Sequence, residues 1–202
     1  MLLKYIFSLL VVTAVTLPFL VSAAELRPGQ LDFDQGRYQQ ALDKWMPLAK
    51  TGDPEVQVLV GEMFRRGLGV EKDLMRARNW HQKSADQGHI NGIYHLAQYH
   101  LHGQGGVAKD PARALAMFQK AADLGHWNAQ YIISRSYVSG ELVPQDYVKA
   151  LQWLEISIAS SKGEFGRKVF YRRRALSKHM TEPEIELAKK LAADWLKNHA
   201  SN

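Results

Sequence analysis

Apolar residues recur along most of this chain at spacings of three and four, the pattern of a helix that buries one face. Val60 and Phe64 illustrate the pattern, with the small residue Gly61 beside them. The same arrangement returns about 36 residues later and again after a similar interval, at Leu96, Ala97 and His100 and then at Ile133, Ser134 and Tyr137. This periodicity predicts an all-α chain built from repeated amphipathic helices.

A second predicted helix follows each of these helices and carries its own small residue and aromatic residue. The small residues are Ala77, Ala114 and Ala150, spaced 37 and 36 residues apart, and Ala41 lies 36 residues upstream of the first. Small side chains let a neighbouring helix approach closely. The aromatic residues of these helices, Trp45, Trp80 and Trp153, are expected to pack in the core. The copy around Ala41 lacks a first helix of its own, so the array is expected to start on a half repeat.

Glycine-rich loops of similar composition connect the two helices of each unit. The loops run over 67–73, 103–110 and 140–146, and each ends in aspartate. Pro54 and Pro111 suit the first turn of a helix, where proline is tolerated. A fixed period of 36 to 37 residues indicates a repeat architecture.

These residues resemble the Sel1-like repeat family. The matching features are the small-residue pair and aromatic of the first helix, the Gly-x-Gly loop ending in Asp, and the Ala-Leu and Lys-Ala-Ala segments of the second helix. They extend over roughly 33–162. The related tetratricopeptide pattern has a 34-residue period and lacks the Gly-x-Gly loop. The resemblance implies an α-solenoid of antiparallel helix pairs that acts as an adaptor for other proteins. The third unit departs most, with Leu142 at the second loop glycine.

The chain is expected to contain a signal peptide over 1–23, the repeat array over 24–162 and a C-terminal helical cap over 163–202. Lys4 precedes an apolar run that ends near Leu20, and small residues around Ala23 suit cleavage. An uncleaved membrane anchor is the alternative. Either reading delivers the remaining chain outside the cytoplasm, to a periplasm or a secretory lumen.

The C-terminal segment departs from the repeat pattern and predicts two helices. The first is basic, with its positive residues at Arg167, Lys168, Arg172, Arg173, Arg174 and Lys178. The second starts at Thr181 and Glu184, a capping-box pair, and carries an apolar stripe. A repeat array needs an atypical end to cover its last apolar face, so these helices are expected to form a cap.

The charge and residue content restrict the chemistry and the partners. Lysine and arginine number 26 against 20 acidic residues, and cysteine is absent, which excludes disulfides and thiolate metal sites. Outside the cytoplasm the modest basic excess favours acidic protein surfaces or anionic lipid over nucleic acid, and plain solubility is the preferred interpretation of the charge. The basic helix is a second candidate surface, for an acidic partner or a membrane, and its alternative interpretation is a solvated helix face. An uncleaved N-terminal segment is another route to membrane contact.

Catalytic motifs are missing from the sequence. It contains no Ser-x-x-Lys, no Gly-x-Ser-x-Gly and no His-Glu-x-x-His. We therefore expect no enzyme activity and no cofactor. His95, His100 and His102 cluster on one helix, but His100 takes a packing position, so no metal site is expected.

A protein-interaction scaffold in an envelope-associated assembly is the preferred functional hypothesis. The alternatives are a cell-wall or β-lactam-binding protein of the hydrolase type and a membrane-anchored regulator. In similar repeat proteins the first helix of each pair lines the concave surface, so partner contacts are expected on that helix. The alternative for Tyr94 and Tyr131 is packing between repeats. The expected partner-binding residues are Val58, Glu62, Arg65, Tyr94, Gln98, Leu101, Tyr131, Arg135 and Val138.

Export gives the first prediction. Mass spectrometry of the protein recovered from its native cell should find a mature N-terminus near Ala24, in the fraction outside the cytoplasm, because the apolar run and the small residues after it favour cleavage. Recovery of a chain with an intact Met1 from the soluble cytoplasm would refute export, and an intact chain in the membrane would favour the anchor.

Overall fold

The chain folds into a series of antiparallel helix pairs. The computed structural model describes residues 27–161 and 164–199, so the expected signal peptide over 1–23 lies outside the described residues. Within these ranges every regular element is a helix. The helices are α1 (Gln30–Asp34), α2 (Tyr38–Thr51), α3 (Pro54–Arg66), α4 (Leu74–Asp86), α5 (Ile90–His102), α6 (Pro111–Asp123), α7 (Trp127–Ser139), α8 (Tyr147–Ser160), α9 (Glu164–Ser177) and α10 (Glu182–His199).

Consecutive helices pack against each other along the whole array. The pairs α3–α4, α5–α6 and α7–α8 form the three repeats, and α4 packs on α5 as α6 does on α7. Asp73, Asp110 and Asp146, the last residues of the three loops, cap the second helices, because each carboxylate accepts a hydrogen bond from a backbone N–H of the first turn. The predicted all-α solenoid is confirmed, and each loop aspartate starts a helix.

The half repeat at the start differs from the expectation. A helix of one turn, α1, precedes α2, so the first copy does have a short counterpart of its missing helix. Phe33 of α1 packs its ring on Trp45 and Tyr38, with centroids 5.3 Å from both. A single turn with one aromatic side chain is too short to show a helical period, which is why the sequence pattern did not reveal it.

The two helices of each repeat approach closely at small residues. Ala77, Ala114 and Ala150 have no exposed surface. At Gly61 a Cβ atom would lie 2.5 Å from Nε2 of His81, so a larger residue would displace this ring. In the third repeat, Ser134 uses its hydroxyl to donate a hydrogen bond of 2.7 Å to the Ala150 carbonyl. The small-residue pattern read from the sequence therefore marks the contact between paired helices.

The tryptophans do not all lie in the core as expected. Trp45 is fully buried and Trp153 is 8% exposed, but Trp80 is only half-buried. The ammonium of Lys83 lies 4.4 Å from the centre of the Trp80 ring. Trp80 therefore covers the apolar core from the surface, which the helical period alone did not distinguish from full burial.

The last two helices close the array. Both α9 and α10 pack on α8. Trp195 of α10 meets Trp153 edge-on at 5.7 Å, and Leu176 and Ala188 join a buried cluster with Leu151 and Leu154. One half of the predicted capping box is present, since the Glu184 carboxylate accepts a hydrogen bond of 2.7 Å from the Thr181 backbone N–H, and the Thr181 hydroxyl also donates to this carboxylate, at 2.8 Å. Among the described helices, none combines the length and the apolar character needed to cross a membrane.

The second loop glycine of the middle repeat gives a stability prediction. Gly105 has φ +64°, and a Cβ there would lie 2.7 Å from the Leu74 carbonyl oxygen at the start of α4. Gly105→Val should destabilise the fold by about 1 to 3 kcal/mol. Valine is strained at a positive φ, and the first turn of α4 cannot easily move away from its side chain. Urea denaturation of the wild type and the variant measures this difference.

Gly106 provides the matched control in the same loop. It also has positive φ, at +80°, but a Cβ there would meet only the Met75 side chain, at 3.6 Å. Gly106→Val should therefore cost less than Gly105→Val. Equal losses would show that backbone strain alone accounts for the effect and that the contact between repeats contributes nothing.

Candidate functional site

A groove opens between α5, α7 and α9, with a volume of about 1170 Å³. The first helices of the second and third repeats form two of its walls, and the C-terminal half of α9 forms the third. We call this cavity the α5–α7–α9 groove. Its walls combine aliphatic, aromatic and charged side chains, the mixture typical of protein-recognition surfaces.

Five of the nine expected partner-binding residues line this groove. They are Gln98, Leu101, Tyr131, Arg135 and Val138. Arg135 and Val138 are exposed, whereas Gln98, Leu101 and Tyr131 are half-buried. The sequence pattern therefore identified two walls of the groove. It did not identify the third wall, because no repeat relates α9 to the array.

The other four expected residues lie elsewhere. Val58 is only 6% exposed, so the chain itself covers this side chain and it offers no surface to a partner. Glu62 and Arg65 form a bidentate ion pair on α3, with Arg65 Nε 2.5 Å from Oε1 and its NH2 nitrogen 2.7 Å from Oε2. Because both ends of the carboxylate are engaged, Arg65 is committed to an internal contact.

Tyr94 packs inside the chain, which was the alternative to partner binding for this residue. Its ring stacks on His126 at 4.1 Å and lies 5.8 Å from Phe118, and its hydroxyl accepts a hydrogen bond of 3.0 Å from Gln98 Nε2. Burial raises the pKa of the Tyr94 hydroxyl. Tyr94 thus packs within the second repeat and against His126, which caps the first helix of the third. Tyr131 both packs against the apolar cluster of the cap and faces the groove, with the Arg172 guanidinium 5.3 Å from its ring centre.

Positive charge predominates in the groove. Lys109, Arg135 and Arg172 contribute full positive charges, and Glu141 is the one acidic side chain among the described lining residues. His102 and His179 also line the walls. Charges of one sign within a cleft concentrate the field there and attract ligands of opposite sign.

The basic run of α9 does not form a single surface. Arg172 faces the groove, but Arg173 lies 3.4 Å from the Glu155 carboxylate and 5.1 Å from the centre of the Phe170 ring. The side chains of Arg167 and Lys168 fall outside the described residues. The sequence showed the density of charge on this helix but could not show how it is divided between faces.

A second cluster of functional groups lies between the first and second repeats. The carboxylate Oε1 of Glu62 (α3) is 3.9 Å from Nε2 of His81 (α4) and 3.5 Å from Nδ1 of His95 (α5). The two imidazole rings stack with centroids 4.5 Å apart. The other nitrogen of His81, Nδ1, lies 3.2 Å from the Tyr99 hydroxyl. We call Glu62, His81 and His95 the Glu-His-His cluster.

Burial sets the protonation of this cluster. Loss of water lowers the pKa of His81 to about 3 and also lowers that of His95. Burial opposes the charge of Glu62, but the hydrogen bond from Arg65 and the neighbouring positive charges leave the pKa of Glu62 lowered overall. At neutral pH the cluster therefore contains two neutral imidazoles that face one carboxylate.

Sequence reasoning missed this cluster because it grouped His95 with His100 and His102 of the same helix. His100 is 7% exposed and occupies the packing position expected for it, and His102 is exposed. The true neighbour, His81, belongs to the preceding repeat. It stands where the other two repeats carry Phe118 and Leu154, and a histidine at this apolar position was the available signal.

His126 gives a prediction about pH. It caps α7, where its Nδ1 accepts a hydrogen bond of 3.2 Å from the Ala129 N–H, and burial lowers its pKa to about 4. The unfolded chain then binds a proton more readily than the folded chain, so stability should fall as the pH drops from about 6.5 to 4. His126 should contribute up to about 1.4 kcal/mol per pH unit in this range.

Urea denaturation between pH 7.5 and 4.5 measures this slope. His126→Asn keeps a side-chain acceptor at the cap but does not titrate, so the slope should decrease. Asn91→Ser, which removes no titrating group at an exposed position, is the control and should leave the slope unchanged. An unchanged slope in His126→Asn would contradict the prediction.

Curated proteins are similar to part of the chain. The curated relatives include two components of an ERAD-associated E3 ubiquitin-protein ligase from Arabidopsis thaliana, HRD3A and HRD3B. They are 28% and 26% identical over 72 residues, which is 36% of this chain. This chain covers only 11% of HRD3A and 12% of HRD3B.

Solved structures resemble the fold over most of the chain. A Sel1 repeat protein from Oxalobacter formigenes has a TM-score of 0.65 at 22% identity, covering 84% of this chain and 69% of that one. The protective antigen c5321 of uropathogenic Escherichia coli, which has an SLR fold, has a TM-score of 0.52 at 22% identity, covering 88% and 47%.

The family model described as Sel1 repeat matches three consecutive segments, residues 54–89, 90–126 and 127–161. These segments coincide with the pairs α3–α4, α5–α6 and α7–α8 and together take up more than half of the chain. The resemblance read from the loop and helix motifs is confirmed, and this chain belongs to the Sel1 repeat family.

Proposed function

We propose that this chain is a protein-interaction scaffold outside the cytoplasm, and that the α5–α7–α9 groove receives an acidic segment of a partner protein. The observation that carries the proposal is the groove itself, which exposes Arg135, Lys109 and Arg172 around apolar walls. The proposed location of the chain outside the cytoplasm is based on its N-terminal sequence. Membership of the Sel1 repeat family supports a binding role in place of catalysis.

The dimensions of the groove suit a peptide segment. A volume of about 1170 Å³ slightly exceeds the usual range for small-ligand pockets, about 300 to 1,000 Å³. Leu101, Ile132 and Val138 offer apolar contact along the groove, while the three cations lie around it. A segment with apolar residues between aspartates or glutamates would match both features.

Charge reversal tests whether the preference for an acidic segment comes from the groove cations or from the net charge of the whole chain. The variant Lys109→Glu, Arg135→Glu, Arg172→Glu should weaken capture of the partner by at least about tenfold, because attraction becomes repulsion at three positions. A matched variant, Lys50→Glu, Lys120→Glu, Lys190→Glu, makes the same change of net charge at exposed positions outside the groove. It should bind like the wild type at physiological salt.

Photo-crosslinking identifies the partner for this measurement. A crosslinking residue at Val138, which is 39% exposed in the groove, is compared in the native cell with one at Met75, which is 59% exposed on α4. We expect crosslinks to an Asp- and Glu-rich segment from Val138 and not from Met75. Crosslinks from Met75 alone, or equal loss of binding in the two charge variants, would refute the groove as the binding site.

A further inference from the structure

We propose that the Glu-His-His cluster is a binding site for a Zn²⁺ ion, with Glu62 Oε1, His81 Nε2 and His95 Nδ1 as ligands. The three residues come from α3, α4 and α5, so the ion would join the first repeat to the second. Two imidazoles and one carboxylate are a common ligand set for zinc, with a fourth position left for water.

The spacing of the three donor atoms fits a tetrahedral ion. Zinc bonds of about 2.0 to 2.2 Å place two tetrahedral ligand atoms about 3.4 Å apart. Glu62 Oε1 is 3.5 Å from His95 Nδ1 and 3.9 Å from His81 Nε2, and all three donor atoms lie within 4.8 Å of one another. The two imidazole nitrogens would have to close by up to about 1.5 Å, and one ring, now stacked on the other with 15° between their planes, would have to turn so that both nitrogens point at the ion.

Two of the buried donor atoms make no hydrogen bond of good geometry, and the Val58 backbone beside His81 and the Gln98 side chain beside His95 are their weak neighbours. His81 Nε2 and His95 Nδ1 both face the carboxylate, and the His81 side chain has no exposed surface. Unpaired polar atoms are rare in protein interiors because their lost hydration is not replaced. A metal ion would satisfy both nitrogens at once, whereas a single proton could satisfy only one of them at a time.

The surroundings of the ligands resemble an outer coordination shell. The Tyr99 hydroxyl oxygen, 3.2 Å from His81 Nδ1, can accept a hydrogen bond from Nδ1–H, and in that tautomer Nε2 carries a lone pair for an ion. The positive charge of Arg65, which is paired with the Glu62 carboxylate, opposes the binding of a cation there. If Glu62 Oε1 binds the ion, the 2.5 Å hydrogen bond from Arg65 Nε to that oxygen opens, and Arg65 keeps its 2.7 Å hydrogen bond to Oε2, which orients the ligand.

A small pocket lies beside the cluster. The pocket has a volume of about 310 Å³ and is lined by Arg65, His95, Gln98, Tyr99, His102 and Gln104. His95 belongs both to this pocket and to the cluster, and its side chain is 18% exposed. The pocket provides an entry path for the ion and space for a water molecule as the fourth ligand.

The test is a competitive zinc titration of the full chain without an affinity tag, after treatment with a chelator. We expect one Zn²⁺ per chain. His95→Ala and Glu62→Gln should each weaken binding by at least about tenfold, the lower limit for changes in the outer shell alone. His102→Ala removes an exposed imidazole of the same pocket and is the matched control, with unchanged affinity. Circular dichroism checks that each variant is folded.

A second measurement does not depend on the variants. Co²⁺ added to the unmodified chain should give the strong visible absorption of a tetrahedral site, and an equivalent of Zn²⁺ should remove it. Absence of stoichiometric zinc binding, or a hydrated octahedral Co²⁺ spectrum, would refute the site. An equal loss of affinity in His102→Ala and His95→Ala would place the ion on surface histidines and refute it as well.

Discussion

The close approach of the two helices in each repeat is the constraint on which the rest of this structure depends. A single amphipathic helix pair cannot bury both of its apolar faces, so the pairs must also stack on one another. Fully buried alanines at 77, 114 and 150 keep each pair narrow enough for this stacking. The loops then come so close to the preceding unit that Gly105 meets the first turn of α4. Packing within each helix pair and packing between repeats therefore both depend on alanine or glycine residues.

Much of the fold could be predicted from the sequence, because helical period and repeat period support each other. The loop aspartates, the prolines at the start of α3 and α6 and the Thr181–Glu184 box all mark helix starts that the structure confirms. The errors arose where a residue's neighbours come from outside its own helix. Val58 and Trp80 are examples, since helical spacing gives the face of a residue but not what covers this face. One is buried and the other half-exposed.

The candidate sites were less predictable, for a related physical reason. Groove residues on α5 and α7 were accessible to sequence reasoning because equivalent positions on successive first helices lie side by side. The Glu-His-His cluster combines different positions from three helices, so no single helical face contains it. Its trace in the sequence is a pair of departures within one repeat. His81 replaces a large apolar residue, and Gly61 provides the space that the ring requires.

Departures from the repeat also account for the charge along the array. Glu62, Gln98 and Arg135 occupy equivalent positions on α3, α5 and α7, so one structural position changes from acidic to neutral to basic over three repeats. The fold keeps the three side chains at similar places while their neighbours give them different roles. Glu62 is paired with Arg65, Gln98 donates to Tyr94, and Arg135 is exposed in the groove. An acidic segment bound there would place its carboxylates toward the third repeat and the cap, where Arg135 and Arg172 lie. Lys109, in the loop of the second repeat, is the third cation that such a segment would meet, so its carboxylates would lie along all three walls of positive charge.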